Sequence, residues 1–440
     1  MVGWLREAIN GGRANPRAAN MANLYRDTAP SAPDTPPLGG DARADLAVVG
    51  AGITGLSTAL HAAQAGACVI VLEAHDPGFG ASGRNGGQVN PGLKCDPQTV
   101  ERDFGVELGA RMNALAGGAP DLVFDLVKRH AIECEARRNG TLRAAVSAKH
   151  AAAVRLSAQQ LIERGAPVEM LEGAALAEAT GTDRYAAAML DRRGGDLNPL
   201  GYARGLARAA IGLGARVHGG TRVLGVERMG RVWRLRTASG SVSAAQVVLA
   251  TNGYTDSLWP QLRQTLVPVF GAIAASAPLP EAASRIILPQ RPVLYESGLV
   301  TVYYRLDARQ RLLIGGRGPM REIQTPAAIG HLTRYAASLW RSLEGVAWTH
   351  AWGGRLAFTR DHYPHVHEPA PGLLICLGYN GRGVAMATAM GAQLARRLAH
   401  PSEPIDMPVT SLRPIRMHAL WPIAVKAAIL SGRIRDAIGI

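Results

Sequence analysis

Residues 44–74 read ADLAVVGAGITGLSTALHAAQAGACVIVLEA, and this stretch decides the fold. A short apolar strand, DLAVV, runs into a glycine turn. A helix, GLSTALHAAQAG, follows, and then a second apolar strand, CVIVL, that ends at Glu73. The turn Gly50-Ala51-Gly52-Ile53-Thr54-Gly55 spells G-x-G-x-x-G. In this setting each glycine has a task. Gly50 permits the tight turn, Gly52 lets a pyrophosphate approach the backbone, and Gly55 allows the helix to pack closely on the strand. The helix N-terminus offers amide donors and a partial positive charge to phosphates. Glu73, about 20 residues on, is placed to accept both hydroxyls of a ribose and disfavours a 2′-phosphate, which argues against NADP.

The pattern beyond is interleaved. A glycine-rich polar loop, EAHDPGFGASGRNGGQVNPG (73–92), follows the second strand at once. Two long helical stretches are predicted near 97–130 and a third near 147–165, with CEARRNGTLRAA (134–145) alternating like a hairpin between them. A helix is predicted after GGDLNPLG (194–201), and QVVLA (246–250) reads as a buried parallel strand. A β-rich region spans about 265–318, with GLVTVYYRLDARQRLLIGG (298–316) as its hairpin, and a helix near 325–343 closes it. The strand PGLLICLGYN (371–380) and a helix after Gly381-Arg382-Gly383 complete the set. The fold class predicted is α/β, α+β overall: a Rossmann-like cofactor domain interleaved with an antiparallel-sheet substrate domain. The cofactor domain takes 44–127, 195–264 and 346–400. The substrate domain takes 128–194 and 265–345, with a tail or strap at 1–43 and a helical extension at 401–440.

An NAD dehydrogenase needs a contiguous second mononucleotide half, and here a long interruption follows the second strand. FAD is long, and a chain that binds it returns to the cofactor several times. VVLATNGYT puts small residues at a strand's C-terminal end, where open α/β sheets bind ligands. GYNGRGVAMATAMGAQLA puts glycines before a helix, a second anion-receptive N-terminus. One FAD accounts for all three glycine sites.

Composition narrows the remaining classes. At 440 residues and 47% hydrophobic, the chain has material for about two domains. No apolar run approaches the ~18 residues of a membrane span, and the N-terminus lacks the apolar core of a signal peptide, so a cytoplasmic chain is expected. Its four scattered cysteines have no C-x-x-C pair, so neither disulfides nor a metal site is expected. The net charge of +14 is carried almost wholly by arginine, without a basic block or an aromatic-interleaved stripe, so no nucleic-acid partner is expected. The basic, amphipathic C-terminus (412–440) allows peripheral membrane contact, but a helix docked on the cofactor domain is the favoured reading.

The chain resembles the D-amino-acid oxidase superfamily of FAD oxidoreductases, and within it the γ-glutamylputrescine oxidase branch. GAGITGLSTALHAAQAG, VLEAHDPGFGASGRNGGQ, VYYRLDARQRLLIGGRG, LGYNGRGV and the C-terminal RIRDAIGI carry the resemblance. It implies an FAD domain of the GR2 type and oxidation of a C–N bond, with hydride passing to flavin N5 and the imine then hydrolysed. It implies a small-molecule amine or amino acid as substrate and O2 or another electron acceptor. Carried over by position, Gly50, Gly52, Ile53, Thr54, Gly55, Glu73 and Ala74 hold the ADP half. Ser82, Arg84, Asn85, Gly86, Gly87 and Gln88 pass along the flavin and ribityl chain, and Val223 meets the adenine. Thr251, Asn252, Gly253, Tyr254 and Arg355 lie near the isoalloxazine, and Gly381, Arg382, Gly383 and Val384 cap its pyrimidine end. Sarcosine oxidases of the superfamily attach FAD through a cysteine in the segment that here reads GRLAFTRD, so a noncovalent FAD is expected. Their substrate-binding and oxygen-activating lysines fall near Ala385 and Leu313.

For the substrate, TVYYR (301–305) alternates, placing Tyr303 and Arg305 on one face and Tyr304 on the other. Any of the three is a candidate pocket residue, as are His350 and Trp352 in THAWGGR. Arg84 and Arg382 are candidate anion anchors. The alternatives are a dehydrogenase of a cyclic or N-alkyl amino acid (pipecolate, proline or sarcosine type) with a non-oxygen acceptor, and a noncatalytic FAD-binding subunit.

Overall fold

The computed structural model describes residues 23–298, 301–319, 323, 325–425 and 427. RIRDAIGI, residues 1–22 and positions 426 and 428–440 lie outside them. Within the described part of the predicted helical extension, 401–417 run as turns and irregular chain. Only the 3₁₀ turn His418–Leu420 and residues 421–425 and 427 are helical there, because the prolines at 401, 404, 408 and 414 interrupt any longer helix. Among the described residues eighteen strands occur in chain order: β1 (Ala42–Val49), β2 (Val69–Leu72), β3 (Gln88–Val89), β4 (Thr141–Ala145), β5 (Val168–Leu171), β6 (Ala187–Asp191), β7 (Gly195–Asp196), β8 (Arg216–His218), β9 (Gly225–Met229), β10 (Val232–Arg236), β11 (Ser241–Leu249), β12 (Val267–Pro278), β13 (Val293–Ser297), β14 (Tyr303–Leu306), β15 (Arg311–Arg317), β16 (Trp348–Phe358), β17 (His365–Ala370) and β18 (Leu373–Leu377).

The first sheet runs β17-β18-β11-β1-β2-β8, with β10 and β9 added beside β11. Its centre is parallel: Leu46 faces Val69, Val49 faces Leu72, and Val49 also faces Leu249. All four residues of β2 are buried, as a strand covered on both faces requires. QVVLA therefore lies in a parallel strand, β11, between β1 and β18. The connection β1–β2 crosses over through the helix Ile53–Gln64. The chain then leaves β2 on one side of β1 and later fills β11 on the other. This is the strand-order switch that opens a crevice at the carboxyl ends of open α/β sheets. A second helix, Gly383–Ala399, packs on Ile53–Gln64. Gly391 allows the approach, since a Cβ there would lie 2.5 Å from the Ser57 Cβ.

The second sheet runs β16-β12-β15-β14-β13-β4-β6-β5. It is antiparallel except for β13 with β4, where Val293 pairs in parallel with Thr141. The predicted β14–β15 hairpin is present, with Tyr303 opposite Gly315 and Leu306 opposite Leu312. β16, drawn from 346–400, is hydrogen-bonded along β12 in this sheet. Residues 134–145 do not close on themselves as a hairpin. Only Thr141–Ala145 is a strand, pairing with β6 and β13, while Arg137 exchanges backbone bonds with Asp196. Its alternation is satisfied by distant partners that a local reading cannot see. The helix predicted near 325–343 is regular over Gly330–Leu339, with short 3₁₀ turns on either side.

A short helix, Leu24–Thr28, starts the described chain and bridges the two sheets. Asn23 donates to the Gly83 carbonyl, Asn198 donates to the Thr28 hydroxyl, and Asp27 accepts from His350 Nε2 at 3.1 Å. No helix among the described residues is long and apolar enough to cross a membrane.

Candidate active site and cofactor cradle

The β1 turn is held open for a ligand by its own hydrogen bonds. Glu73 accepts from the Ala51 amide at 2.7 Å through one oxygen and from the His75 amide at 3.0 Å through the other. Burial pushes its carboxyl pKa up, and these two amides oppose that shift. The carboxylate is thereby fixed at the end of β2, where the crevice begins. Gly50 has φ +103°, a conformation closed to most side chains. At Gly55 an added Cβ would overlap the Gly50 carbonyl oxygen. Gly52 caps the helix without a side-chain bond, and a Cβ there would come 2.8 Å from Ser82 Oγ. Ser82 in turn accepts from the Ile53 amide at 3.0 Å. Thr54 is turned away, its hydroxyl 2.6 Å from that of Tyr379. Val223 is buried, on the chain that leaves Glu73 by the bond from the Thr221 amide. A helix N-terminus capped by a glycine with no side chain, beside a fixed carboxylate, fits the pyrophosphate and ribose of a dinucleotide.

The 80–88 loop is more tightly packed than its polarity suggests. Cβ atoms at Gly83 and Gly87 would overlap the carbonyl oxygens of Gly78 and Leu197, and one at Gly86 would lie 2.5 Å from the Tyr303 ring. Asn85 closes the loop on itself, donating to Ala81 and Ser82 and accepting from the Gly87 amide. Gln88 donates to the carbonyls of Leu294 and Tyr304 across the sheet boundary. These glycines and amides are spent on protein contacts. Arg84 differs: its guanidinium lies 4.6 Å over the Phe79 ring, and no carboxylate pairs with it among the described residues.

The two later returns of the chain meet at this loop. Asn252, at φ +41°, accepts from the Gly378 amide, and Gly253 backs directly onto the Arg355 carbonyl. Thr251 bonds the Thr255 hydroxyl. Arg355 lies 4.6 Å over the Tyr254 ring, and its buried Nε has no hydrogen-bond partner. Burial lowers its pKa. Gly381 has open space around its Cβ position at φ +88°, and Gly383 meets only Tyr379 at 3.7 Å. Val384 is buried at the start of the following helix. Arg382 donates to the Pro91 carbonyl at 2.7 Å and to the Tyr295 hydroxyl at 2.8 Å.

The predicted pocket residues separate. Arg305 is buried, and its donors go to Asp196 (2.7 Å), Gly86, Leu197 and Tyr25. With Arg137 also on Asp196, it ties the second sheet to the 86–87 loop. Tyr303 is half-buried against Gly86 and Gly315. Tyr304 points the other way, into the substrate-domain core, where it meets the Tyr185 hydroxyl and the Trp340 ring. His350 holds the 24–28 helix through Asp27. Trp352 is buried and donates to the Arg84 carbonyl at 3.1 Å. Tyr295 and Lys94 escaped the sequence reading. Tyr295 gave only the alternation of a short strand, and Lys94 only a lone charge in a loop. Desolvation of its ammonium, together with the charges of Arg382 and Arg143, brings the Lys94 pKa down to about 8. Among the described residues no cluster of acidic, histidine or cysteine side chains could hold a metal.

The DAO family model, described as FAD dependent oxidoreductase, matches residues 45–397. The chain is 31% identical over 365 residues to the gamma-glutamylputrescine oxidoreductase of Escherichia coli (strain K12), covering 82% of this chain and 85% of that one. It is 30% identical over 392 residues to a probable oxidoreductase OrdL of Rhizobium meliloti (strain 1021), covering 87% and 89%. Among solved structures, glycine oxidase from Geobacillus kaustophilus superposes with a TM-score of 0.69 at 22% identity, over 82% of this chain and 96% of that one. The chain belongs to the DAO family of FAD-dependent oxidoreductases. It is an FAD enzyme that acts on amines or amino acids.

Proposed function

We propose that this enzyme oxidises the C–N bond of an extended amine of the γ-glutamylputrescine type and does not act on a compact α-amino acid. One observation carries the reading. By the resemblance, the substrate- and oxygen-handling lysines of sarcosine oxidases fall near Ala385 and Leu313, which are both buried and apolar here. A short amino acid has no fixed cation to meet there. The similarity to the Escherichia coli relative supports the same direction.

FAD, noncovalently bound, supplies the two-electron acceptor for the amine's hydride. Ser82, Glu73 and the 51–55 amides hold the dinucleotide end. The 80–88 loop, fixed from beneath by Arg305 and from above by Trp352, keeps Arg84 in register with the cofactor. Arg355 and Arg84, buried or half-buried without acid partners, favour negative charge beside them. The amine reacts as its free base in a site that positions it and excludes water. The imine product then hydrolyses to an aldehyde and a released amine or ammonia.

The test is anaerobic bleaching of the flavin band by γ-glutamylputrescine, sarcosine, pipecolate, proline, hydroxyproline and glycine, with peroxide measured aerobically. Fastest bleaching by γ-glutamylputrescine is expected. Faster bleaching by proline or pipecolate without peroxide would replace this reading by a cyclic amino-acid dehydrogenase.

A further inference from the structure

A cleft of about 350 Å³ runs between the helix Val106–Arg129 and the second sheet. That is within the range of about 300–1,000 Å³ of small-molecule sites. Its lining runs from the exposed pair Ala110 and Ala114, past the buried Thr141, Ser157 and Asp191, to the half-buried Tyr295 and Arg382. Arg382 stands in the turn between β18 and the helix Gly383–Ala399, so this end of the cleft adjoins the glycine turn at the carboxyl end of the first sheet.

The charges in the cleft do not balance. Four arginines line it, and three are matched by carboxylates. Arg143 pairs with Asp96 at 3.1 Å, Arg164 with Glu101 at 2.6 Å, and Arg193 with Asp191 at 2.6 Å. Among the described residues Arg382 has only neutral hydrogen-bond partners, the Pro91 carbonyl and the Tyr295 hydroxyl, and its guanidinium carbon lies 5.2 Å from the centre of the Tyr295 ring. Those two bonds leave guanidinium donors free in a fixed fork. Lys94, an exposed residue between the lining residues Leu93 and Cys95, stands close enough to Arg382 and Arg143 to feel their charge.

We infer that this cleft is a tail-recognition subsite, in which Arg382 receives the carboxylate of an amine substrate whose reactive end lies at the cofactor. The inference rests on the amine-oxidation reading above and names the substrate class: an N-acylated or otherwise extended amine bearing a distal carboxylate. A bare diamine brings a second cation toward Arg382 and Lys94 and is disfavoured. The Arg–acid pairs along the walls keep the rest of the passage polar and close to neutral, so only the Arg382 end selects for an anion. Arg is suited to the task because its fork meets both carboxylate oxygens at once.

The experiment compares holoenzyme turnover of glutarylputrescine, which carries the carboxylate, with N-acetylputrescine, which does not. Wild type is expected to favour glutarylputrescine in kcat/KM by about 10- to 100-fold, the usual scale for a charged hydrogen-bonded contact. In Arg382→Gln the ratio falls toward one. A purely structural role for Arg382 lowers both substrates together and leaves the ratio intact. Ala114→Leu, on the exposed helix face, narrows the cleft and lowers kcat/KM for both substrates while FAD content stays at the wild-type level; unchanged kcat/KM for both would count against the cleft. Calorimetric binding of glutarate to the holoenzyme separates the two readings. Binding that is lost in Arg382→Gln upholds the cleft even if no amine bleaches the flavin, in which case the amine reading fails alone. Absence of both substrate discrimination and Arg382-dependent glutarate binding overturns the cleft.

Discussion

The two glycine turns that face the crevice obey different constraints. At residues 50–55 the constraint is internal: Gly55 is needed because a Cβ would overlap the carbonyl of Gly50, a residue of the same turn. At residues 381–383, by contrast, Gly381 has open space and Gly383 only ordinary contact, although Gly378 just before them is closed in by Thr359. The first turn would need its glycine even in an empty protein. The second turn's spare space is accounted for by a ligand. A glycine fingerprint therefore mixes two requirements, and only the packing around each residue separates them.

Substitutions can break that contrast, beginning with the largest effect. Gly55→Ala forces backbone apart at the crossover between β1 and its helix, and it is expected to abolish soluble, FAD-containing protein, measured as yield and flavin-to-protein ratio. Arg305→Met leaves Asp196 buried with only Arg137, and removing one partner of such a network costs about 3–5 kcal/mol. Urea unfolding of the variant checks this, and a loss below about 1 kcal/mol would show that Arg137 compensates fully. Gly381→Ala meets no atoms but is strained at φ +88°, at a cost of about 1–2 kcal/mol. Arg84→Ala loses only its stacking on Phe79 within the protein, so the melting temperature of the apoprotein should stay put while FAD retention or the flavin potential shifts. If apoprotein stability falls instead, Arg84 is a packing residue.

The smallest effect expected is on pH dependence. Lys94 has its pKa lowered to about 8, below the ordinary lysine value, by desolvation and then by its arginine neighbours. Below that pH it is charged in the folded protein, and above it the charge is lost there while the unfolded chain keeps its proton. Stability should therefore rise modestly from about pH 8 toward 10.5, and the affinity for glutarate should fall over the same rise as Lys94 loses its charge. Asp96, Cys95, His362, Arg143 and Arg382 surround it, so the comparison needs the Lys94→Met variant, whose affinity should be flat across that window.

Much of the cofactor domain was legible because its signals are local. A strand, a glycine turn, a helix and a strand within about 30 residues leave one reading, and Glu73 directly follows the end of β2 as expected. The 73–92 loop was legible in outline and misleading in detail. Its polarity suggested side chains aimed at a ligand, yet Asn85 and Gln88 satisfy backbone groups of the protein. Arg305 reads as a pocket residue until Asp196, 109 positions away, is seen to bond it. The second sheet was least legible, since β4 pairs with β13 across about 150 residues, and nothing near either strand announces the partner. Tyr295 and Lys94 matter through where they converge, which spacing does not encode.

The small helix Leu24–Thr28 has a consequence for the order of assembly. It is synthesised early, yet it is bonded to residues made much later: Tyr25 to Arg305, 280 positions on, and Asp27 to His350, 323 positions on. Loop-closure entropy makes such distant contacts slow to form. A nascent chain halted before residue 350 carries this segment with part of its berth missing. The first described helix is therefore among the last to be seated, and refolding monitored at a probe on residue 27 should lag one placed in β1.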